Sequence, residues 1–141
     1  MPATYRIDVP DRLVWTHLWG RVTIEEIMAL AQHLRADPRF DPAGRQLVMV
    51  SGADPALITE SGIRQIAGLG CWGPGARRAL VLRTALGFGI ARQYISRSAT
   101  PFGEIATFSE VPEALAWLGL PTDWEPPPAS PDDPVFEIPP G

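Results

Sequence analysis

From residue 12 to residue 118 the chain alternates, four times over, between a short apolar run and a longer stretch whose apolar residues recur at helical spacing. A run of about five apolar residues suits a strand buried on both faces of a sheet. An apolar stripe at i, i+3, i+4 and i+7 suits a helix that buries one side. A chain patterned in this way has few ways to hide both kinds of surface. Layering helices on a mainly parallel sheet, with right-handed crossovers, is the one that satisfies all of them.

The individual segments follow from local chemistry. Thr4 to Val9 alternates polar and apolar residues, Pro10-Asp11 supplies a turn, and Arg12 to Trp19 is a second strand, so the chain is expected to open with a β-hairpin. Thr23 followed by Glu26 is a capping box, and Ile24, Ile27, Leu30, Ala31 and Leu34 form the stripe of a first helix that stops near Ala36, before Asp37-Pro38. Gln46 to Val50 and Arg77 to Arg83 are buried strands, and Glu104 to Phe108 is a last short one. Further helices are expected over Glu60 to Leu69, Leu86 to Arg97 and Val111 to Leu118. The predicted sheet has four to five strands and is mixed but mainly parallel, with about four helices.

Residues 1–120 form one domain by size, and residues 121–141 are a proline-rich, acidic C-terminal tail. The tail holds eight of the sixteen prolines and five of the sixteen acidic residues, and no basic residue. All twelve basic residues, every one an arginine, lie before it and leave the body at +1. Two readings of the tail stay open. It is a solvated, disordered segment, or it is a strap in which Trp124, Val135, Phe136 and Ile138 dock on the body or on a second subunit. The arginines are scattered, with no basic stripe of the kind that binds nucleic acid. No apolar stretch reaches the roughly 18 residues that cross a bilayer, and the N-terminus has no signal-peptide pattern, so a soluble, cytoplasmic protein is expected.

The order of elements and three local stretches resemble the SpoIIAA-like branch of the STAS fold, the STAS/SEC14-domain proteins. The stretches are Leu34 to Pro42 (LRADPRFDP), Gly87 to Arg92 (GFGIAR), and Phe108 followed by Glu113 to Leu118 (EALAWL). The resemblance covers residues 4–120. It implies a four- or five-stranded sheet with helices packed on it, and a role in regulation or ligand sensing. In related anti-sigma-factor antagonists a serine before glycine at the start of the second helix is phosphorylated. Ser61-Gly62 stands in that place, which makes Ser61 a candidate phosphoacceptor. A helix N-terminus favours added phosphate through its free N–H groups and dipole. Thr59, where the pattern has an acid, and Glu60 beside Ser61 depart from it, and plain helix capping by Thr59 or Ser61 is the competing reading.

Other motifs read as structural. Gly68 to Gly73 spells G-x-G-x-x-G but closes a helix instead of opening one, so it lacks the geometry of a dinucleotide site. Ser51-Gly52 ends a strand without a nucleophile-elbow pattern, and neither histidine, His17 in a strand or His33 on the solvent side of a helix, is placed to activate it. Asp37 and Asp41, each followed by proline, read as turn formers. Cys71 is the lone cysteine and reads as a packed thiol. These ligands are too few for an ordinary zinc site, so no metal and no cofactor is expected. The strand carboxyl ends, near which Ser51, Ser61, Arg83 and Thr84 are expected to lie, suit a small anion or polar head group; a set of helix caps with Arg83 in solvent is the competing reading.

The expectation for function is a non-enzymatic regulatory or protein-interaction domain that forms a homodimer through an open sheet edge. The alternative is a carrier or sensor of a small apolar or amphipathic ligand, suggested by the SEC14 link and by Trp15, Trp19, Trp72 and Phe88.

Overall fold

The computed structural model describes residues 3–20, 22–51, 60–67, 72–97 and 103–136. In chain order the elements are β1 (Ala3–Asp8), β2 (Leu13–Trp19), α1 (Ile24–Ala36), β3 (Arg45–Ser51), α2 (Glu60–Ala67), β4 (Arg77–Val81), α3 (Ala85–Arg97), β5 (Glu104–Phe108), α4 (Val111–Trp117) and β6 (Val135–Phe136). The α/β alternation and the opening hairpin are as the sequence predicts. The proposed segment from Gln46 to Val50 becomes Arg45–Ser51, and that from Arg77 to Arg83 ends at Val81. Leu69, the Gly68–Cys71 stretch and Ile138 lie outside the described residues.

The ends of α1 show why the local reading succeeds. The Glu26 N–H donates to Thr23 Oγ1 at 3.2 Å while the Thr23 N–H donates to Glu26 Oε1 at 2.8 Å, so two otherwise orphaned donors are satisfied reciprocally. The helix stops at Asp37, whose N–H reaches the Leu34 carbonyl, because Pro38 forbids continuation.

The six strands among the described residues form one sheet in the order β5-β4-β3-β2-β1-β6. This exceeds the predicted four to five, and the added strand comes from the tail. Strands β2, β3, β4 and β5 are mutually parallel and adjacent in chain order, while β1 is antiparallel to both β2 and β6. Each crossover steps one strand in the same direction. With right-handed crossovers, that places the connecting helices on one face. Gly103 permits the last step: its φ of 87° is left-handed, and a side chain there would collide with the Ala76 carbonyl that receives the Glu104 N–H.

The two faces of the sheet are covered unequally. On the first, Tyr5, Ile7 and Val14 pack with Leu30 and Leu34 of α1, and Val48 and Leu80 pack with Ala91, Phe88 and Tyr94 of α3. On the second, α4 covers one part through Leu115, with Leu118 capping its end, and both pack in one cluster with Leu13, Leu47 and Val81. The tail covers another part. Trp124 Nε1 donates to Asp8, Arg6 Nη1 donates to the Pro127 carbonyl at 2.9 Å, and Arg6 Nε pairs with Asp133 at 3.1 Å. Thr4 Oγ1 donates to the Pro134 carbonyl, and Val135–Phe136 then joins the sheet beside Ala3 and Thr4. Through Phe136 the tail is therefore a strap running antiparallel to β1, and the disordered reading does not hold for residues 121–136. No helix among the described residues is long and apolar enough to cross a membrane.

Candidate functional site

Side chains two apart on a strand share a face. Trp15, His17 and Trp19 of β2 therefore form a ladder on the second face, with ring centroids 5.5 Å apart for the first pair and 4.8 Å for the second. All three are half-buried. The guanidinium of Arg6 lies 4.6 Å from the Trp15 ring, so the strap, the arginine and the indole form one stack. Parallel register sets His17 beside Met49 and Trp19 beside Ser51. From that diagonal position His17 Nε2 is hydrogen-bonded to Ser51 Oγ.

This contact corrects the view of His17 as unplaced. Burial, and secondarily the charge of Arg6, push its pKa below the ordinary imidazole value. A neutral ring is thus favoured at pH 7, and its Nε2 lone pair can accept the Ser51 hydroxyl proton. The ring is held between two indoles, and no carboxylate among the described residues is bonded to its other nitrogen. The sequence offered one clue, the i, i+2, i+4 spacing of Trp15, His17 and Trp19. The partner, Ser51, is set by β2–β3 register and could not be read from spacing.

The four residues expected at the strand carboxyl ends do not act as one group. Ser51 ends β3 with its side chain on the α4 face, bonded to His17. Ser61 is exposed on α2, which packs between α1 and α3 on the other face. Arg83 and Thr84 are exposed beyond β4, and Thr84 Oγ1 accepts the Gly87 N–H at 3.0 Å, capping α3. Crevices at strand ends arise where strand order reverses, and the unbroken order β2-β3-β4-β5 contains no reversal. Thr59 and Cys71 lie outside the described residues.

A second cluster lies where α1 ends. Tyr5 is fully buried, and its hydroxyl donates to Asp37 Oδ2 at 2.9 Å and sits 2.7 Å from His33 Nδ1. Arg39 grips the same carboxylate through Nη2 at 3.0 Å and Nε at 3.1 Å. The Arg39 hydrogen bonds outweigh burial, and with the Tyr5 hydroxyl they hold the Asp37 carboxyl down at about 2. Burial, reinforced by Asp37, pushes the Tyr5 phenol above its ordinary value. Asp37 is therefore more than the turn former read from its proline. Asp41 does form the expected turn, accepting the Ala43 N–H at 2.9 Å, and also pairs with Arg12. An open cleft of about 330 Å³ beside the cluster is lined by His33, Ala36, Asp37, Pro38 and Arg39. The exposure expected for His33 is observed, yet its ring also packs edge-on to Phe136 of the strap.

Among the described residues no group of three or more His, Cys, Asp or Glu side chains is arranged to hold a metal ion. The fold and site define the protein by class alone: an α/β protein built on one mixed sheet, with a half-covered aromatic face. Comparison with family models, curated proteins and solved structures finds no match to any of them.

Proposed function

We propose that this chain is a regulatory binding module of SpoIIAA-like (STAS-like) type, cytoplasmic and non-catalytic, that docks an extended proline-rich segment of a protein partner on the β2 ladder. One observation carries the reading: the second sheet face already holds such a segment in cis. The strap is proline-rich, free of helix and strand from Trp124 to Ser130 between turns at 121–124 and 130–133, and it lies on β1 through carbonyls offered to Arg6 and Thr4. Aromatic faces suit polyproline segments because the ligand is stiff before it binds, so little entropy is lost. His17 and Trp19 continue that face one strand further and remain half-exposed.

The single-sense winding of β2 to β5, with α1 to α3 on one face, supports the STAS-like assignment. Ser61, exposed on α2, is the proposed site at which phosphorylation regulates the module. Homodimerisation belongs to the same proposal, and β5 is the sheet edge opposite the strap.

Affinity capture from source cells, comparing the intact chain with Trp19→Asp and with the surface control Arg83→Asp, tests the docking face. The expected result is a partner containing a proline-rich stretch that is lost with Trp19→Asp alone. Identical captures from all three proteins reject the proposal, and indifference of the interaction to Ser61→Asp removes the regulatory part.

A further inference from the structure

Arg78, the second residue of β4, belongs to the row Val14, Gln46, Arg78, Ile105 on the helix-covered face. It is 9% exposed. Nε donates to Gln46 Oε1 at 2.9 Å, and Gln46 Nε2 in turn donates to Thr16 Oγ1 at 2.9 Å. The guanidinium lies 5.4 Å from the ring centroids of both Trp72 and Tyr94. Its neighbours thus supply two aromatic rings and one amide oxygen, and none of them carries a negative charge.

A buried cation ordinarily has a carboxylate partner, because leaving water without one is costly. Among the described residues none pairs with Arg78, and its Nη groups have no acceptor. Among the described residues, no side-chain nitrogen or oxygen that is fully shut off from solvent lacks a partner. The Nη edge therefore keeps some contact with solvent while the rest of the group is enclosed. What remains is a planar fork of donors, fixed at Nε and held between two rings, with its outer edge unused.

We propose that Arg78 anchors a binding site for a small monocarboxylate, whose two oxygens take the Nη1 and Nη2 protons as a bidentate pair. The fork matches carboxylate geometry. Charge favours a carboxylate over phosphate: Gln46, Trp72 and Tyr94 add no second positive charge to that of Arg78, which suits a carboxylate better than the roughly −1.5 to −2 of a phosphate monoester at pH 7. The site lies on the opposite face from the partner-docking ladder and does not depend on it.

Benzoate and inorganic phosphate, each titrated into the full chain at constant ionic strength, test the site. Thermal unfolding and the NMR Nε–H signals of the arginines provide the readouts. Benzoate is expected to bind saturably, to raise the unfolding midpoint and to move the Arg78 signal, with phosphate weaker. Arg78→Met, which keeps the stem, is expected to weaken benzoate at least tenfold. Gln46→Glu, which places a carboxylate beside the fork, is expected to abolish the response in a folded protein. No saturable benzoate response overturns the site, as does unchanged binding in either variant or phosphate binding as tight as benzoate. Should Arg78→Met not fold, the Arg78 signal in the intact chain and the Gln46→Glu titration decide.

Discussion

Tyr5 has one hydroxyl proton and two polar neighbours. Asp37, ionised above about pH 2, can only accept, so the proton goes to it and His33 must present Nδ1–H to the phenol oxygen. Three residues that the sequence scatters over 33 positions thus share one set of protons. The consequence for pH follows from the sign of the Asp37 shift. Its folded-state pKa lies below the ordinary 3.8, so the stability it contributes is full above about pH 4 and is lost as pH falls towards 2. Arg39 is half exposed and solvent screens the pair, which limits the contribution to on the order of 1–2 kcal/mol. Denaturant unfolding is expected to show a loss of that size between pH 4 and pH 2. Asp37→Asn is expected to be less stable at pH 7 and to lack that part of the acid dependence. An unchanged acid profile in the variant would show that Asp37 is not the titrating group.

At the scale of elements, the tail differs most from a plain reading of composition. Its prolines and acids are those of a disordered segment, and composition cannot register that Arg6, Thr4 and Asp8 on β1 receive it. Docking depends on Trp124 and Phe136, which are half-buried, with the Phe136 ring stacked 6.2 Å from that of Tyr5. A chain ending at Leu120 is expected to lose about 2–4 kcal/mol, from the lost apolar contacts and the unpaired Arg6. Trp124→Ala in the full chain is expected to lose about 2 kcal/mol. Chemical denaturation measures both. The truncated chain should also self-associate in light scattering, because β1 becomes an uncovered edge. If truncation leaves stability and mass unchanged, the strap contributes nothing to the fold. The capping box of α1, by contrast, was readable in full, since every partner lies within three residues.

For the whole molecule, the sheet order places the strap at one edge and β5 at the other. The proposed homodimer is therefore expected to pair through β5. Light scattering should report a concentration-dependent dimer, and amide exchange over residues 104–108 should slow as concentration rises; a strict monomer at high concentration rejects it. The alternation of apolar runs was enough to specify α/β layering, the opening hairpin and four helices, because those depend on periodicities of two and 3.6 within single segments. The meeting of His17 with Ser51, the Tyr5–His33–Asp37 cluster, the burial of Arg78 and the sixth strand were decided by tertiary structure. Each depends on register or on contacts between residues far apart in the chain, and a periodicity carries no information about which row of one strand faces which row of the next.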